Sequence, residues 1–136
     1  YFFSSSYSEY NIAVGIWENK IGLDIESYNK ISFDKLEIFS SKNEFTIINS
    51  LYNSFSPIEV LTLIWSCKES LGKLYNIGLS KGFKAFEFYK NDQFFIKTNF
   101  ENKINKVYIY YKFLKDICIV LSSFTPIFSI KMRGAK

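Results

Sequence analysis

The feature that most constrains the fold of this sequence is one long helical segment with clear signals at both ends. Ser56 precedes Pro57, and Glu59 follows at the third helical position, a pattern that predicts an N-cap, a first-turn proline and a capping box. Gly78 is the expected stop. At about 100° per residue, one apolar stripe is predicted to face a core. The stripe consists of Val60, Leu63, Ile64, Cys67, Leu71 and Leu74. We therefore expect a helix over 57–77.

The opposite face of this helix carries residues that a solvated face rarely combines. Trp65 lies one turn before Glu69, Lys73 follows one turn later, and Lys68 is at the edge of the face. The other members of this face are Thr62, Ser66, Gly72 and Asn76. One interpretation is a surface helix with a single Glu69–Lys73 pair four residues apart. The other interpretation is a functional site.

A second unusual stretch, Gly-Leu-Asp-Ile-Glu at 22–26, alternates apolar and acidic residues. The alternation predicts a half-buried strand with Asp24 and Glu26 on the same face, roughly 6–7 Å apart. Like charges at this spacing usually face water or share a cation. With Glu69 added from the helix, the candidate ligands are all oxygens, which suits a hard divalent ion such as Mg2+. The two lysines of the helix would suit a phosphate that shares the metal.

The composition narrows the chemistry further. The 136 residues include no histidine, which excludes histidine-based triads, histidine-ligated zinc and a histidine general base. The two cysteines, Cys67 and Cys118, form neither a metal-ligand spacing nor a disulfide framework, and Cys67 falls in the apolar stripe of the helix. This usage fits a reducing compartment, and the cytoplasm is the expected location. A net charge of +4 indicates a mild basic bias that is compatible with an anionic partner.

We expect one domain over 1–136 with an α+β fold, in which an antiparallel sheet packs around the long helix. A β-hairpin is expected at 9–27, with strands at 11–16 and 21–27. Shorter helical segments are expected at 34–39 and 42–52. After Gly78 the hydrophobic period changes, and strands are predicted at 85–90, 93–98, 106–113 and 116–122, with turns at 91–92 and 114–115.

The late strands are rich in Phe and Tyr, which favours core and subunit-interface packing. A nucleic-acid platform of stacked aromatic rings is the alternative, but the lysines do not alternate regularly with the aromatic residues. Nucleic acid is therefore not an expected partner. The longest apolar run, 117–130, is interrupted by Pro126, so no membrane span is expected.

Taken together, the two motifs resemble those of the 4'-phosphopantetheinyl transferases that activate peptide and polyketide synthetases. That family has Gly-apolar-Asp-apolar-Glu at the end of a strand and, at a similar spacing, Trp-x-x-Lys-Glu-x-x-x-Lys. Here these motifs are residues 22–26 and 65–73. The resemblance extends over 3–82 through three shorter matches: 3–8 for Phe-Asn-x-Ser-His-Ser, 41–44 for a Ser-x-x-Glu element, and 78–80 after the helix.

The resemblance implies transfer of the 4'-phosphopantetheine arm from coenzyme A to a serine of an apo-carrier protein, which releases adenosine 3',5'-bisphosphate. Mg2+ is the implied metal, with Mn2+ as the alternative. Asp24, Glu26 and Glu69 would be the metal ligands. Lys68 and Lys73 would neutralise phosphates of coenzyme A.

Other roles also follow from the resemblance. The proton of the attacking serine would go to Glu69 or to a metal-bound water, and Glu44 is a candidate accessory carboxylate. Ser6 and Tyr7 occupy the place where the family contacts the 3'-phosphate. Tyr7 replaces the family's histidine, so this contact is expected to be a neutral hydrogen bond or to be lost.

The resemblance also bears on assembly, because this unit is one lobe of a pair in the large members of the family, whereas the small holo-acyl-carrier-protein synthases assemble three identical chains. The chain matches the second lobe of the large kind and begins at Tyr1 rather than methionine. We expect a first lobe, or a second copy of the chain, to complete the site. A non-catalytic lobe that binds coenzyme A or a carrier protein is the alternative, although retention of all three carboxylates and both lysines argues against it.

Overall fold

The computed structural model describes residues 1–28, 31–88, 95–98 and 101–134. Strands and helices within these ranges form an α+β fold, as predicted. The strands are β1 (Phe2–Ser8), β2 (Asn11–Trp17), β3 (Ile21–Ser27), β4 (Phe86–Phe88), β5 (Phe95–Thr98), β6 (Lys103–Lys106), β7 (Tyr108–Phe113) and β8 (Ile117–Ser123). The helices are α1 (Leu36–Phe39), α2 (Phe45–Leu51) and α3 (Pro57–Leu74). Short 3-10 turns occupy Phe33–Lys35, Lys42–Glu44 and Phe83–Ala85.

The strands in the described ranges form three antiparallel sheets. β8 lies between β3 and β7, β1 pairs with β2, and β4, β5 and β6 follow one another in a third sheet. The helix α3 packs against β3 and β8. The core therefore lies between α3 and the sheet that contains the carboxylate strand.

The start of α3 confirms the sequence prediction. The Ser56 hydroxyl accepts a hydrogen bond from the Glu59 N–H at 3.4 Å, and the Glu59 carboxylate accepts one from the Ser56 N–H at 2.8 Å. This reciprocal pair is a capping box that satisfies two backbone donors.

The end of α3 differs from the prediction, because the helix stops at Leu74 rather than at residue 77. Asn76 adopts a left-handed backbone with φ of +62°, and the N–H groups of Asn76 and Ile77 donate to the carbonyls of Lys73 and Gly72. This is a Schellman-type ending with asparagine in the position that glycine usually takes. Asparagine tolerates that conformation, which is why a glycine-based prediction placed the end too late.

The apolar stripe of α3 is buried as predicted, but the opposite face is buried as well. Thr62 and Ser66 are inaccessible to solvent, and Lys68 is 0% exposed. The reason is a second layer on this side of the helix, where the Phe83 ring lies 4.6 Å from the Trp65 ring between centroids. The interpretation of this face as a solvated helix surface is therefore wrong for much of the helix.

The predicted hairpin over 9–27 is also wrong in its pairing. β2 pairs with β1, with Ser8 opposite Asn11, whereas β3 pairs with β8, with Asp24 opposite Val120. The strand boundaries were predicted well, but the partner of β3 lies almost 100 positions along the chain, where no local signal can indicate it. Because other elements cover both faces of β3, all seven of its residues are buried rather than half of them.

Gly22 explains how closely α3 approaches the carboxylate strand. A Cβ atom at this position would overlap the backbone carbonyl oxygen of Ser70 in α3. The Ser70 hydroxyl also donates to the Gly22 carbonyl at 2.8 Å. The glycine of the 22–26 motif is therefore required by helix–strand contact.

The late strands agree with the prediction in kind but differ in their bounds. The predicted strand 106–113 begins in the structure at Tyr108, and a separate strand, β6, precedes it. The turn after β7 is confirmed by the Leu114 N–H, which donates to the Ile117 carbonyl at 2.8 Å. The predicted turn at 91–92 lies outside the described residues. No helix in the described ranges has the length and apolar character that crossing a membrane requires.

Candidate functional site

The candidate site is built where β3 passes under the C-terminal half of α3. Alternation along β3 puts Asp24 and Glu26 on the same side as Gly22, which is the side that touches α3. The two carboxylates are 5% and 6% exposed. Burying charged groups in this way costs free energy unless other groups compensate them.

Asp24 is held by partners from two different elements. Its Oδ1 atom accepts a hydrogen bond from the Ser6 hydroxyl at 2.9 Å and forms an ion pair with the Lys73 ammonium at 3.1 Å. Its Oδ2 atom is buried and has no hydrogen-bond partner among the residues that the structure describes. A buried carboxylate oxygen without a donor is a position where a cation would be stabilised.

Glu26 lies one pleat further along β3. Its Oε1 atom accepts hydrogen bonds from the Ser27 N–H at 3.1 Å and from the Ser8 hydroxyl at 3.3 Å. Ser8 also bonds the Ser27 hydroxyl at 2.8 Å. These contacts hold the Glu26 carboxylate beside Ser8 of β1.

Ser4 and Ser8 of β1 also belong to the candidate site, although the sequence analysis singled out only Ser6 among the serines of this strand. Ser4 and Ser8 accept hydrogen bonds from the Leu23 and Ser27 N–H groups at 2.9 and 3.1 Å. These contacts advance in the same direction along both strands, so β1 lies parallel to β3 beside its free edge. The serine side chains of β1 there accept hydrogen bonds from backbone N–H groups of β3. Serine at every second position, 4, 6 and 8, was the available signal, because that spacing puts the three hydroxyls on one face of a strand.

Lys73 links the two sequence motifs. Its ammonium donates to the Leu23 carbonyl at 2.8 Å and contacts Asp24, and its side chain is 30% exposed. A lysine that is anchored on one side and partly open to solvent can still reach a ligand. A solvent-exposed ion pair with Glu69 is therefore not needed to explain the position of the Lys73 side chain.

Glu69 lies on α3 one turn before Lys73 and is partly buried. Glu69 also takes part in an interaction within the protein, so it is not a free side chain. In the described parts of the chain, no three acidic or sulfur-containing side chains are grouped closely enough to hold a metal ion. The structure thus brings Asp24 and Glu26 together on one strand face, but it does not gather Glu69 with them.

Glu44 and Lys68 form a separate, fully buried pair. Their charged atoms are 2.5 Å apart, and both side chains are 0% exposed. The remaining acceptor capacity of Glu44 is used by the N–H groups of Ser41 at 2.7 Å and Phe88 at 2.9 Å, and Lys68 also donates to the Phe86 carbonyl. Burial lowers the pKa of Lys68, and the Glu44 carboxylate opposes this shift.

The sequence analysis assigned Lys68 to a phosphate contact and Glu44 to an accessory role in proton transfer. The structure instead buries both side chains in a pair with each other. A lysine with no exposed surface does not present its charge to a phosphate, and a carboxylate that already accepts three hydrogen bonds is a poor proton acceptor for a substrate. The pair joins the turn at 42–44, α3 and β4. Its geometry therefore supports a positioning role.

Ser6 and Tyr7 point to opposite sides of β1. Ser6 is buried against Asp24, whereas Tyr7 is 79% exposed on the outer face of the strand. The structure therefore does not bring these two side chains together, and the Ser6 hydroxyl is already used as a donor to Asp24.

The two cysteines lie close to this region but are not accessible. Both are buried and reduced. Burial, assisted by the Asp24 and Glu59 charges, raises the pKa of Cys118 to about 12, and burial raises the pKa of Cys67 well above its ordinary value. Neither thiol is suited to nucleophilic chemistry near neutral pH.

The chain matches the model of a known protein family. Residues 20–121 match the family model of the 4'-phosphopantetheinyl transferase superfamily, a stretch that contains both motifs, β3, β7 and most of β8. No curated protein matches the chain significantly.

Proposed function

The chain belongs to the 4'-phosphopantetheinyl transferase superfamily, and from this we propose that it transfers the 4'-phosphopantetheine arm of coenzyme A to a serine of an apo-carrier protein, as a holo-acyl-carrier-protein synthase does. The observation that carries the proposal is the 3.1 Å contact between Lys73 and Asp24. It joins the two motifs on which the family resemblance rests, although they are far apart in the sequence.

In the proposed reaction, the hydroxyl oxygen of the carrier serine forms a bond to the phosphorus next to pantetheine. The bond from this phosphorus to the bridging oxygen of the pyrophosphate breaks. Adenosine 3',5'-bisphosphate leaves with that oxygen, and the serine proton passes to a base. Since negative charge shifts onto the leaving phosphate, groups that hold the phosphates contribute most of the catalysis.

The donor chemistry fits a hard divalent cation at Asp24, because its buried Oδ2 atom has no partner among the described residues. We propose Mg2+, with Mn2+ as the alternative, held by Asp24, Glu26 and Glu69. When bound, the ion would offset the negative charge of the pyrophosphate. Glu69 must orient toward the strand for this set to be complete, and it lies on the helix turn that precedes Lys73.

The chain's own side chains would then divide the remaining tasks. Lys73 keeps Asp24 in place and offers its partly exposed ammonium to a phosphate. Glu69 is the proposed acceptor of the serine proton, since it is ionisable and only partly buried. We propose that Glu44 and Lys68 position α3 from within the core, because a direct contact of Lys68 with coenzyme A would require their pair to open. The 3'-phosphate contact at Ser6 and Tyr7 would depend mainly on Tyr7, whose hydroxyl is accessible.

A surface on the β1–β2 hairpin supports the proposal that the chain works with a second lobe or a second copy. The strand register puts five exposed apolar residues on the outer face of the hairpin, where they are 63–80% exposed: Phe3, Tyr7, Ile12, Val14 and Ile16. We call this surface the hairpin face. Exposed apolar patches of this kind normally mark an interface. The patch lies in the N-terminal part of the chain. The Phe and Tyr residues after residue 82 had instead favoured an interface in the later strands.

Intact mass spectrometry tests the proposed function. The chain is incubated with coenzyme A, Mg2+ and a panel of apo-carrier proteins, and we expect at least one carrier to gain the mass of phosphopantetheine. A chelator should abolish the gain, and excess Mg2+ should restore it. Binding of coenzyme A without transfer to any carrier would favour the non-catalytic lobe instead, and activity that survives chelation would contradict the metal site.

A further inference from the structure

A groove lies next to the carboxylate pair, between the start of β1 and the turn that ends α3. Its volume is about 660 Å3, which is within the range of small-molecule sites. No acidic residue is among the described residues that line it. Its walls include Phe2 and Phe3 from β1, Lys20 and Ile21 at the start of β3, and Lys73 and Asn76 at the end of α3.

Two lysines give this groove a positive character. Lys73 belongs to the candidate site, so the groove is continuous with it. Lys20 is half-buried, and its backbone carbonyl accepts a hydrogen bond from the Ser123 hydroxyl at 3.4 Å, which helps to hold the residue in place. Its ammonium has no hydrogen-bond or ion-pair partner in the ranges that the structure describes. A half-buried ammonium without a carboxylate beside it favours an anionic ligand.

The direction of β1 defines where the groove lies relative to Asp24. β1 runs alongside β3 in the same direction, with Ser6 against Asp24. Phe3 and Tyr7 therefore lie on either side of Asp24 along the strand, roughly 13 Å apart at about 3.3 Å per residue. The groove includes Phe3 but not Tyr7, so it lies on the Phe3 side of Asp24.

We propose that this groove binds the phosphopantetheine half of coenzyme A, with Lys20 as a phosphate contact that neither sequence motif includes. This inference rests on the proposed function. The phosphate end of the arm would lie between Lys20 and Lys73, and the amide and methyl groups of pantetheine would lie along Phe2 and Phe3. Such a lining of apolar rings with a few polar groups is typical of sites for ligands of mixed polarity.

Titration calorimetry with three ligands tests the proposal: coenzyme A, 4'-phosphopantetheine and adenosine 3',5'-bisphosphate. Lys20→Ala is compared with Lys115→Ala, which removes the same charge from an exposed turn near the other end of β3. We expect Lys20→Ala to weaken binding of coenzyme A and of 4'-phosphopantetheine about tenfold, as for loss of one charge-assisted hydrogen bond. Binding of the bisphosphate should be unchanged. Lys115→Ala should change none of the three affinities.

Lys20→Arg keeps the charge and should bind 4'-phosphopantetheine within about threefold of the wild-type protein, which separates loss of contact from loss of folding. The inference is overturned if Lys20→Ala binds 4'-phosphopantetheine as the wild type does, or if only its affinity for the bisphosphate falls. In both cases binding of coenzyme A by the wild type would still support the proposed function. If the wild-type chain binds none of the three ligands, both proposals fail.

Discussion

At the scale of single residues, the side chain that connects the two motifs is Lys73. Its ammonium donates two hydrogen bonds to β3, and 30% of its side chain is still exposed. An ammonium with this environment stabilises the strand carboxylate and remains available to a phosphate. The phosphate contact of Lys73 stays a prediction of the sequence analysis, whereas its contact with Asp24 was not predicted.

Replacing Lys73 tests its contact with the ligand. We expect Lys73→Ala to weaken coenzyme A binding by about 1–3 kcal/mol, the range for loss of a charge-assisted hydrogen bond. Lys81→Ala removes a charge from an exposed residue in the turn that follows and should leave the affinity unchanged. Calorimetry measures both variants. Equal affinities for Lys73→Ala and the wild type would restrict Lys73 to its contact with Asp24.

The cysteines give a second test at this scale. Because burial raises the pKa of Cys118 to about 12 and also raises that of Cys67, both thiols should resist a thiol-specific reagent at pH 8 in the folded protein. Both should react within minutes in concentrated urea. Fast labelling of one thiol in the native state would show that the interface between α3 and β8 opens readily.

At the scale of elements, the sequence predicted the strands and helices better than their partners. The signals for α3 are local, so its start at Pro57 was predictable. The partner of β3 was not, because the pairing with β8 joins residues almost 100 positions apart. The same limit explains Lys68, since only tertiary structure shows that Glu44 and the chain near Phe86 cover it.

The close contact of β3 with α3 predicts the effect of adding a side chain at Gly22. A methyl group there would overlap the Ser70 carbonyl, so we expect Gly22→Ala to lower the free energy of unfolding by at least about 2 kcal/mol. Gly134→Ala is the matched control, because a Cβ at that glycine meets no atom within 4 Å. Urea denaturation measures both variants. If the two variants unfold at the same urea concentration, helix and strand are not as close as described.

The buried pair of Glu44 and Lys68 predicts non-additive effects. Lys68→Met leaves a buried carboxylate without its counter-charge and should cost about 3–5 kcal/mol of unfolding free energy. A double variant that adds Glu44→Gln should be more stable than Lys68→Met alone. Denaturation of both single variants and the double variant checks this. A double variant whose loss equals the sum of the single losses would mean that the two residues do not interact.

At the scale of the whole molecule, the hairpin face is an exposed apolar surface where we expect a partner to bind. β1 turns its serines toward β3 and its apolar residues outward, so the strand that holds Asp24 from one side is a candidate interface on the other. Covering that face would also restrain the serines that fix the carboxylates. We therefore expect assembly and site geometry to be linked.

Light scattering tests this link. We expect the purified chain to self-associate, and we expect Ile12→Lys combined with Ile16→Lys to shift it toward monomer, since both side chains lie on the hairpin face. Ile104→Lys changes an isoleucine that is also exposed but lies on β6, and it should not alter the mass. A wild-type monomer that binds coenzyme A tightly would show that the chain needs no second lobe.

The central claim is that the chain transfers phosphopantetheine rather than only binding or hydrolysing coenzyme A. The most direct measurement quantifies holo-carrier protein and adenosine 3',5'-bisphosphate in the same reaction, with intact mass for the first and chromatography for the second. Transfer predicts that the two products appear in equal amounts and that both disappear in Asp24→Asn, which replaces the carboxylate at the centre of the site. Bisphosphate without holo-carrier, or neither product with any carrier tested, would contradict the account.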